Sequence, residues 1–181
     1  MSDRKEVRLS GTGGQGIILG GILLAEAAVL DGKEVVQTQS YGPEARGGAS
    51  KAEVVISSGP ILYPKVILPD FLLVMSEEAA RFYAGKVASN GLVMMDEAVA
   101  GFGAPAERAR VVKIPFARLA REEIGNFLTT NIIAVGALAA AGGIVSLEAL
   151  EEAVRLRLVK VAALNIKALH LGWERGSKEA G

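Results

Sequence analysis

Apolar positions follow two spacings along the chain, a period near two in short runs and a period near four in longer ones. Val7 to Ser10 is a short apolar run that ends directly in a cluster of glycines. From Ile17 to Leu30, apolar residues such as Ile17, Leu24, Ala25 and Ala28 recur at helical spacing, and Gly32 supplies a stop. Glu34 to Thr38 then reads as a second strand. This strand, glycine loop, helix, strand order predicts a βαβ unit, hence a parallel sheet with a right-handed crossover. Ala52 to Ile56 and Ile61 to Ile67 are β-rich runs on either side of Ser57-Ser58-Gly59-Pro60, which predicts a hairpin and a small antiparallel insertion. Phe71 to Met75 has the continuous apolar character of a buried strand. Ser76 opens the next helix, with Glu77 and Glu78 in the first turn where the macrodipole favours them. Leu92 to Met95 and Val111 to Ile114 add two strands. Pro115 starts a helix that runs to about Ile124 and ends at Gly125-Asn126.

The second half is helical by the same reasoning. Thr129 or Thr130 caps a helix over Asn131 to Ala141 that is apolar on every side. Such a helix has to be buried, in this core or under another subunit. Gly136 and Ala139-Ala140-Ala141 leave little side-chain bulk there and permit close backbone approach. Leu147, Leu150, Val154, Leu158 and Val161 predict one amphipathic helix. The expected fold is α/β, a Rossmann-like, mostly parallel sheet with flanking helices and a small antiparallel hairpin insertion. One domain is expected over residues 1–173, with 174–181 as a frayed tail.

Composition narrows the chemistry. With 181 residues, 50% hydrophobic and 22% charged, the chain is long enough to bury a sizeable core. Its 20 basic and 20 acidic residues cancel, and no basic patch is interleaved with aromatics, so nucleic acid is not an expected partner. No apolar run reaches the roughly 18 residues of a membrane-spanning helix. Ile132 to Val145 is the longest, and glycines interrupt it. Ser2 to Arg8 is too polar for a secretory leader. A cytoplasmic location with no membrane partner is expected. Cysteine is absent, which removes disulfides, thiolate metal sites, iron–sulfur ligation and a cysteine nucleophile together. His170 is the lone histidine, and no metal is expected.

Two loops carry the chemistry. Gly11-Thr12-Gly13-Gly14-Gln15-Gly16 follows a strand and opens a helix, the setting in which glycine-rich turns present backbone N–H groups to a phosphate. Gly11 permits the tight turn, Gly13 the approach of an anion, and Gly16 the packing of helix on strand. Thr12 and Gln15 offer side-chain donors. A nicotinamide dinucleotide site also needs a carboxylate near the end of the second strand, yet Val36 to Ser40 has none. No Gly-Lys-Ser/Thr follows the loop, so it is not a nucleoside-triphosphate loop either. The readings left are a phosphate or pyrophosphate cradle and a purely structural turn. The second loop, Tyr41-Gly42-Pro43-Glu44-Ala45-Arg46-Gly47-Gly48, leaves the second strand near the same sheet edge. Arg46 is a fork-shaped donor for carboxylate or phosphate, and Glu44 is placed to orient it. Either these two stiffen a surface loop between themselves, or Arg46 faces a ligand or subunit.

Elsewhere the bland readings lead. Asn131 and Asn165 are expected to fix backbone carbonyls or helix ends. Asp70, Asp96 and Glu97 lie at strand edges with nothing pairing them as acid and base. His170 is expected to pack locally or face solvent, and Arg155, Arg157 and Lys160 to form a solvated or interfacial face.

The ordered set of Gly11 to Gly16, Leu24 to Ala28, Ser40 to Ser50, Pro69-Asp70, Gly125-Asn126, Asn131, Gly136-Ala137-Leu138 and Asn165 ahead of Gly172 resembles the gamma subunit of the 2-oxoacid:ferredoxin oxidoreductases. It covers the chain from about Val7 to Gly172 and looks most like the 2-oxoglutarate enzymes. The resemblance implies a complex that decarboxylates a 2-oxoacid on thiamine diphosphate. Such a complex passes two electrons through iron–sulfur clusters to ferredoxin and transfers the acyl group to coenzyme A. It implies alpha, beta and ferredoxin-like delta partner subunits that hold the thiamine and the clusters; this chain lacks the Gly-Asp-Gly…Asn-Asn thiamine motif and any cysteine. It also implies a share of the coenzyme A site for this chain, with Gly11, Thr12, Gly13, Gly14, Gln15, Gly16, Tyr41, Glu44 and Arg46 as cofactor-binding candidates and no catalytic residue. Pyruvate, branched-chain 2-oxoacid and indolepyruvate enzymes stay open as relatives, and a stand-alone NAD(P)-dependent oxidoreductase as the competing class.

Overall fold

Residues with inward apolar side chains on alternate positions assemble six strands into one sheet. In the computed structural model, which describes residues 3–40, 49–100 and 108–180, these are β1 (Lys5–Gly11), β2 (Glu34–Ser40), β3 (Ser50–Ser57), β4 (Phe71–Val74), β5 (Leu92–Asp96) and β6 (Arg110–Ile114). The helices are α1 (Ile17–Leu30), α2 (Glu77–Tyr83), α3 (Phe116–Leu119), α4 (Thr130–Gly142), α5 (Leu147–Arg157) and α6 (Ala162–Ser177). Strand order is β2-β3-β1-β4-β5-β6. β1, β4, β5 and β6 pair in parallel, whereas β3 is antiparallel to both of its neighbours, β1 and β2.

That order corrects two expectations. The β1–α1–β2 crossover exists, but β1 and β2 do not touch, because β3 lies between them. The composition explains the exchange. β3 carries Ala52, Val54, Val55 and Ile56, all buried, and suits an inner position, while β2 carries Gln37, Thr38 and Gln39 and suits an exposed edge. The antiparallel hairpin is therefore β2–β3, not the pair expected around Ser57-Ser58-Gly59-Pro60. Residues Ile61 to Ile67 form no strand. Pro60 and Pro64 have no N–H to donate to a ladder, and both ladder edges of β3 are already taken. Polar groups of β1 hold this segment instead: the Ile67 N–H donates to Glu6 and Arg8 donates to the Val66 carbonyl.

The strands sort their side chains into two cores. Val7, Leu9, Leu73 and Met94 face the larger one under α1, α4, α5 and α6, while Leu72, Val74, Val93 and Met95 face the smaller one with α2. α4 is the all-apolar helix, buried in this chain's own core, with α6 packed across it. Their backbones approach very closely. A Cβ added at Gly172 would lie 2.0 Å from the Ile133 carbonyl oxygen, and one at Gly176 would lie 2.0 Å from that of Ala137. The Gly172-x-x-x-Gly176 spacing repeats on one helix face, so both glycines meet α4. The final turns, expected to fray from residue 174, are helical through Ser177, and Gly176 is buried. That burial is the physical reason the helix continues.

The amphipathic period from Leu147 to Val161 spans a break the sequence does not announce. α5 ends at Arg157, Leu158 leaves helical geometry (φ −111°, ψ 40°), and a short 3-10 turn leads into α6. No glycine or proline marks the site. Asn165, buried, donates to the Val161 carbonyl across this junction. Exposed His170 on α6 pairs with Glu151 of α5; its hydrogen bond, aided by Arg155, holds the Glu151 carboxyl below its ordinary range despite partial burial.

The start of α5 is fixed to the end of α1. The Ser146 side chain accepts from the Ala149 N–H and donates to Asp31, and the Ser146 N–H donates to the other Asp31 oxygen at 2.7 Å. Replacing Ser146 with Ala removes a helix cap and leaves Asp31 half-satisfied. We expect a loss of about 1–2 kcal/mol, measured as a lowered urea midpoint with unchanged slope.

Candidate functional site: the glycine loop

β1 runs straight into the loop, and the loop into α1. Gly14 (φ 85°) and Gly16 (φ 71°) occupy the left-handed region, while their neighbours Gly13 and Gln15 do not. Alternation of this kind occurs in turns that receive anions; here the Gln15 N–H closes the turn on the Thr12 carbonyl at 3.3 Å, while the N–H groups of Gly13, Gly14 and Gly16 have no partner among the described residues. Gly16 is also the N-cap of α1, and no side chain caps that end. The first N–H groups of a 14-residue helix are thus left open at the carboxyl edge of the sheet. Gly13 and Gly14 are exposed. A Cβ on Gly13 would meet nothing within 4 Å.

Two side chains hold the loop in this shape. The Gln15 Oε1 accepts from the Thr12 N–H at 2.8 Å, and its Nε2 donates to the Met75 carbonyl at the end of β4, also at 2.8 Å. β1 and β4 flank the point where successive crossovers diverge, so Gln15 spans the crevice where ligands of such sheets bind. Gln15 is expected as a phosphate donor; it also braces the loop, since it is long enough to reach β4, and the second hydrogen of its amide nitrogen has no partner among the described residues. On the other side, the buried Asn131 of α4 donates to the Gly16 carbonyl at 3.1 Å. This is the carbonyl-fixing role expected of it. Among the described residues the Thr12 hydroxyl makes no hydrogen bond. Thr129 and Thr130, expected as caps of α4, donate backwards to the carbonyls of Asn126 and Phe127.

Tyr41, Glu44 and Arg46 lie outside the described residues. Their flanks are placed: Ser40 is opposite Lys51, and Ser50 is opposite Gly11. Ser50 thus adjoins the start of the glycine loop, while Ser40 lies one strand further out on β2.

The other polar residues have structural partners. Asp96 accepts from the Ala98 and Ala117 N–H groups, and Asp70 from that of Glu6. Arg157 pairs with Glu26, and Arg155 with Glu151. Sequence reasoning missed one buried charged cluster. Arg8 and Glu53, directly opposite in the β1–β3 register, form an ion pair at 2.7 Å with side chains 6% and 9% exposed. Arg8 also lies over the Tyr83 ring at 5.3 Å. Burial pushes the Tyr83 phenol up; Arg8 pulls it down and Glu53 raises it. The available signal was a pair of opposite charges on β1 and β3, and it becomes readable only once those strands are known to pair.

A surface groove of about 650 Å³ lies elsewhere, between α1, α5 and the edge of β2, with Val29, Leu30 and Leu156 in its walls. Among the described residues no group of three or more acidic or histidine side chains is placed to hold a metal, and no helix is long and apolar enough to cross a membrane.

The sequence model of the pyruvate ferredoxin/flavodoxin oxidoreductase family matches residues 6–175, which takes in the glycine loop and both close-packed helices. The chain belongs to this family. It is 49% identical over 174 residues to the 2-oxoglutarate synthase subunit KorC of Methanocaldococcus jannaschii, covering 94% of this chain and 93% of that one. Its fold superposes on the gamma subunit of a keto/oxoacid ferredoxin oxidoreductase from Geobacter sulfurreducens with a TM-score of 0.86 and 39% identity, covering 96% of each chain. It also matches a 2-oxoglutarate:ferredoxin oxidoreductase from Magnetococcus marinus, solved with 2-oxoglutarate, coenzyme A and succinyl-CoA bound. That match has a TM-score of 0.85 and 25% identity, covering 97% of this chain and 31% of the longer one. The protein is thus a gamma-type subunit of a 2-oxoacid:ferredoxin oxidoreductase, not a stand-alone nicotinamide enzyme. The same fold thus also occurs as about a third of a longer chain.

Proposed function

We propose that this gamma subunit helps bind coenzyme A in a complex that oxidatively decarboxylates 2-oxoglutarate to succinyl-CoA and CO2, with two electrons passed to ferredoxin. The observation that carries the reading is the set of N–H groups of Gly13, Gly14 and Gly16, which have no partner among the described residues, at an uncapped helix start; the Gln15 N–H between them closes the turn on the Thr12 carbonyl. That set matches the pyrophosphate of coenzyme A in charge and shape. The Thr12 hydroxyl adds a donor. Arg46 adds a charge-assisted contact or braces the neighbouring subunit, and Tyr41 and Glu44 belong to the same loop. The missing ribose carboxylate is no obstacle to such a ligand, since only the pyrophosphate is held here. Alpha and beta subunits supply the thiamine diphosphate on which the 2-oxoacid is cleaved, and a ferredoxin-like delta subunit shares the iron–sulfur clusters with them. No residue of this chain transfers a proton or acts as nucleophile. Its work is to bind one end of coenzyme A, orient it, and exclude water with its partners.

The 49% identity to a 2-oxoglutarate synthase subunit supports 2-oxoglutarate over pyruvate, branched-chain or indolepyruvate substrates. The complex, purified without oxygen through a tag on this chain, tests the assignment. We expect coenzyme A-dependent reduction of a ferredoxin-like acceptor with 2-oxoglutarate, and little with the other oxoacids. Activity confined to another oxoacid would replace the substrate, and a chain that comes back alone and inert would refute the cytoplasmic complex proposed.

A further inference from the structure

The fold connects the glycine loop to a distant packing feature through one side chain. Asn131 is the second residue of α4, buried, and its Nδ2 grips the Gly16 carbonyl at 3.1 Å. The fit leaves no slack: a Cβ on Gly16 would lie 2.3 Å from that same Nδ2. Gly16 is the residue whose left-handed backbone turns the loop into α1, so the direction of the first open N–H groups depends on where Asn131 stands. Asn131 in turn cannot drift, because α4 is locked to α6 through the backbone contacts at Gly172 and Gly176. Gln15 fixes the opposite side of the loop to β4. Between these two braces the Gln15 N–H closes the Gly13–Gly14 turn on the Thr12 carbonyl at 3.3 Å, and the N–H groups of Gly13 and Gly14 have no partner among the described residues.

We infer that Asn131 is a positioning residue for the anion that the glycine loop receives. It acts through Gly16, aiming N–H groups that would otherwise spread over several orientations, and it touches no ligand itself. The inference rests on the reading of this loop as part of the coenzyme A site. The amide is required for its charge state as well as its reach. An aspartate at 131 has no N–H for the Gly16 carbonyl and puts a negative charge beside an anion, whereas a serine keeps a short donor.

The test is steady-state kinetics of the assembled complex carrying Asn131→Ala, Asn131→Asp or Asn131→Ser, beside Gly13→Val as the loop control. We expect Asn131→Ala to raise the KM for coenzyme A about tenfold and Asn131→Asp more. The KM for the 2-oxoacid and kcat should stay within about twofold, and Asn131→Ser should recover most of the loss. A merely structural role would move kcat and assembly, not one KM. If Gly13→Val raises the KM for coenzyme A and Asn131→Ala does not, the positioning role is overturned and the loop reading survives. If neither variant changes it, the loop is not the coenzyme A site and both fall. An Asn131→Ala chain that fails to assemble marks the residue as a fold element and overturns the inference as well.

Discussion

Replacing Gly172 with alanine should destabilise this subunit by about 3 kcal/mol, even though alanine is the better helix former. The two effects oppose each other, and their sizes decide the outcome. Alanine in a helix interior gains about 1 kcal/mol over glycine. The new methyl, however, would stand 2.0 Å from the Ile133 carbonyl oxygen, with that residue's carbonyl carbon and Cα also inside 3 Å. Backbone atoms cannot rotate away as a flexible side chain can, so α4 and α6 must separate. Overpacking of this kind typically costs 1–3 kcal/mol and more where nothing can yield. The separation would also loosen the apolar contacts of Ile133, Ala137 and Leu169, all within 1% of full burial. For a domain of this size the thermal midpoint should fall by roughly 8–10 °C, and Gly176→Ala should behave alike. Calorimetry of the purified chain checks both. A midpoint within 2 °C of the parent would mean the helices are not in backbone contact.

The second large effect is on coenzyme A, with stability spared. A Cβ on Gly13 meets nothing within 4 Å, and its φ is not in the left-handed region, so Gly13→Val should fold and assemble normally. Its side chain would project into the space where an anion meets the loop. Losing one or two charge-assisted hydrogen bonds is worth about 1.5–3 kcal/mol, which converts to a KM for coenzyme A raised roughly 10- to 100-fold. Pantetheine, the thiol arm without the pyrophosphate, separates the causes. Its KM should be the same in Gly13→Val and parent complexes. An equal rise for both thiols would place the disturbance at the thiol end, away from this loop.

Much of this protein was legible in its residues for physical reasons. Strand and helix periods at Phe71–Val74, Ile17–Leu30 and Thr130–Gly142 were read within a residue or two, because each is continuous, apolar and bounded by a cap or glycine. The sheet order was not. Whether β2 or β3 lies next to β1 depends on long-range pairing, and the polar run Gln37-Thr38-Gln39 was the only hint that β2 is the edge. The helix break at Leu158 had no local signal, since the need for α6 to turn back onto α4 creates it. In the site, the glycines and Asn131 were readable because turn chemistry restricts the residues allowed. The bracing role of Gln15 was not, because a long amide near a phosphate loop serves equally well as ligand or as brace. The carbonyl of Met75, sixty residues away in sequence, supplies the brace and leaves the amide's second hydrogen without a partner among the described residues. The Gly172–Gly176 pair was present in the sequence but unread, since small residues announce close approach without naming the helix they approach.

Backbone hydrogen exchange on the millisecond timescale, in the assembled complex with and without coenzyme A, tests the central claim most directly. The N–H groups of Gly13, Gly14 and Gly16 are open at an exposed loop, and bound pyrophosphate would take them as donors. Coenzyme A should therefore slow exchange at Gly13 to Ile17 by tenfold or more, while the 2-oxoacid alone leaves it unchanged. Unaltered exchange across this loop at saturating coenzyme A, in a complex that turns over, would contradict the account.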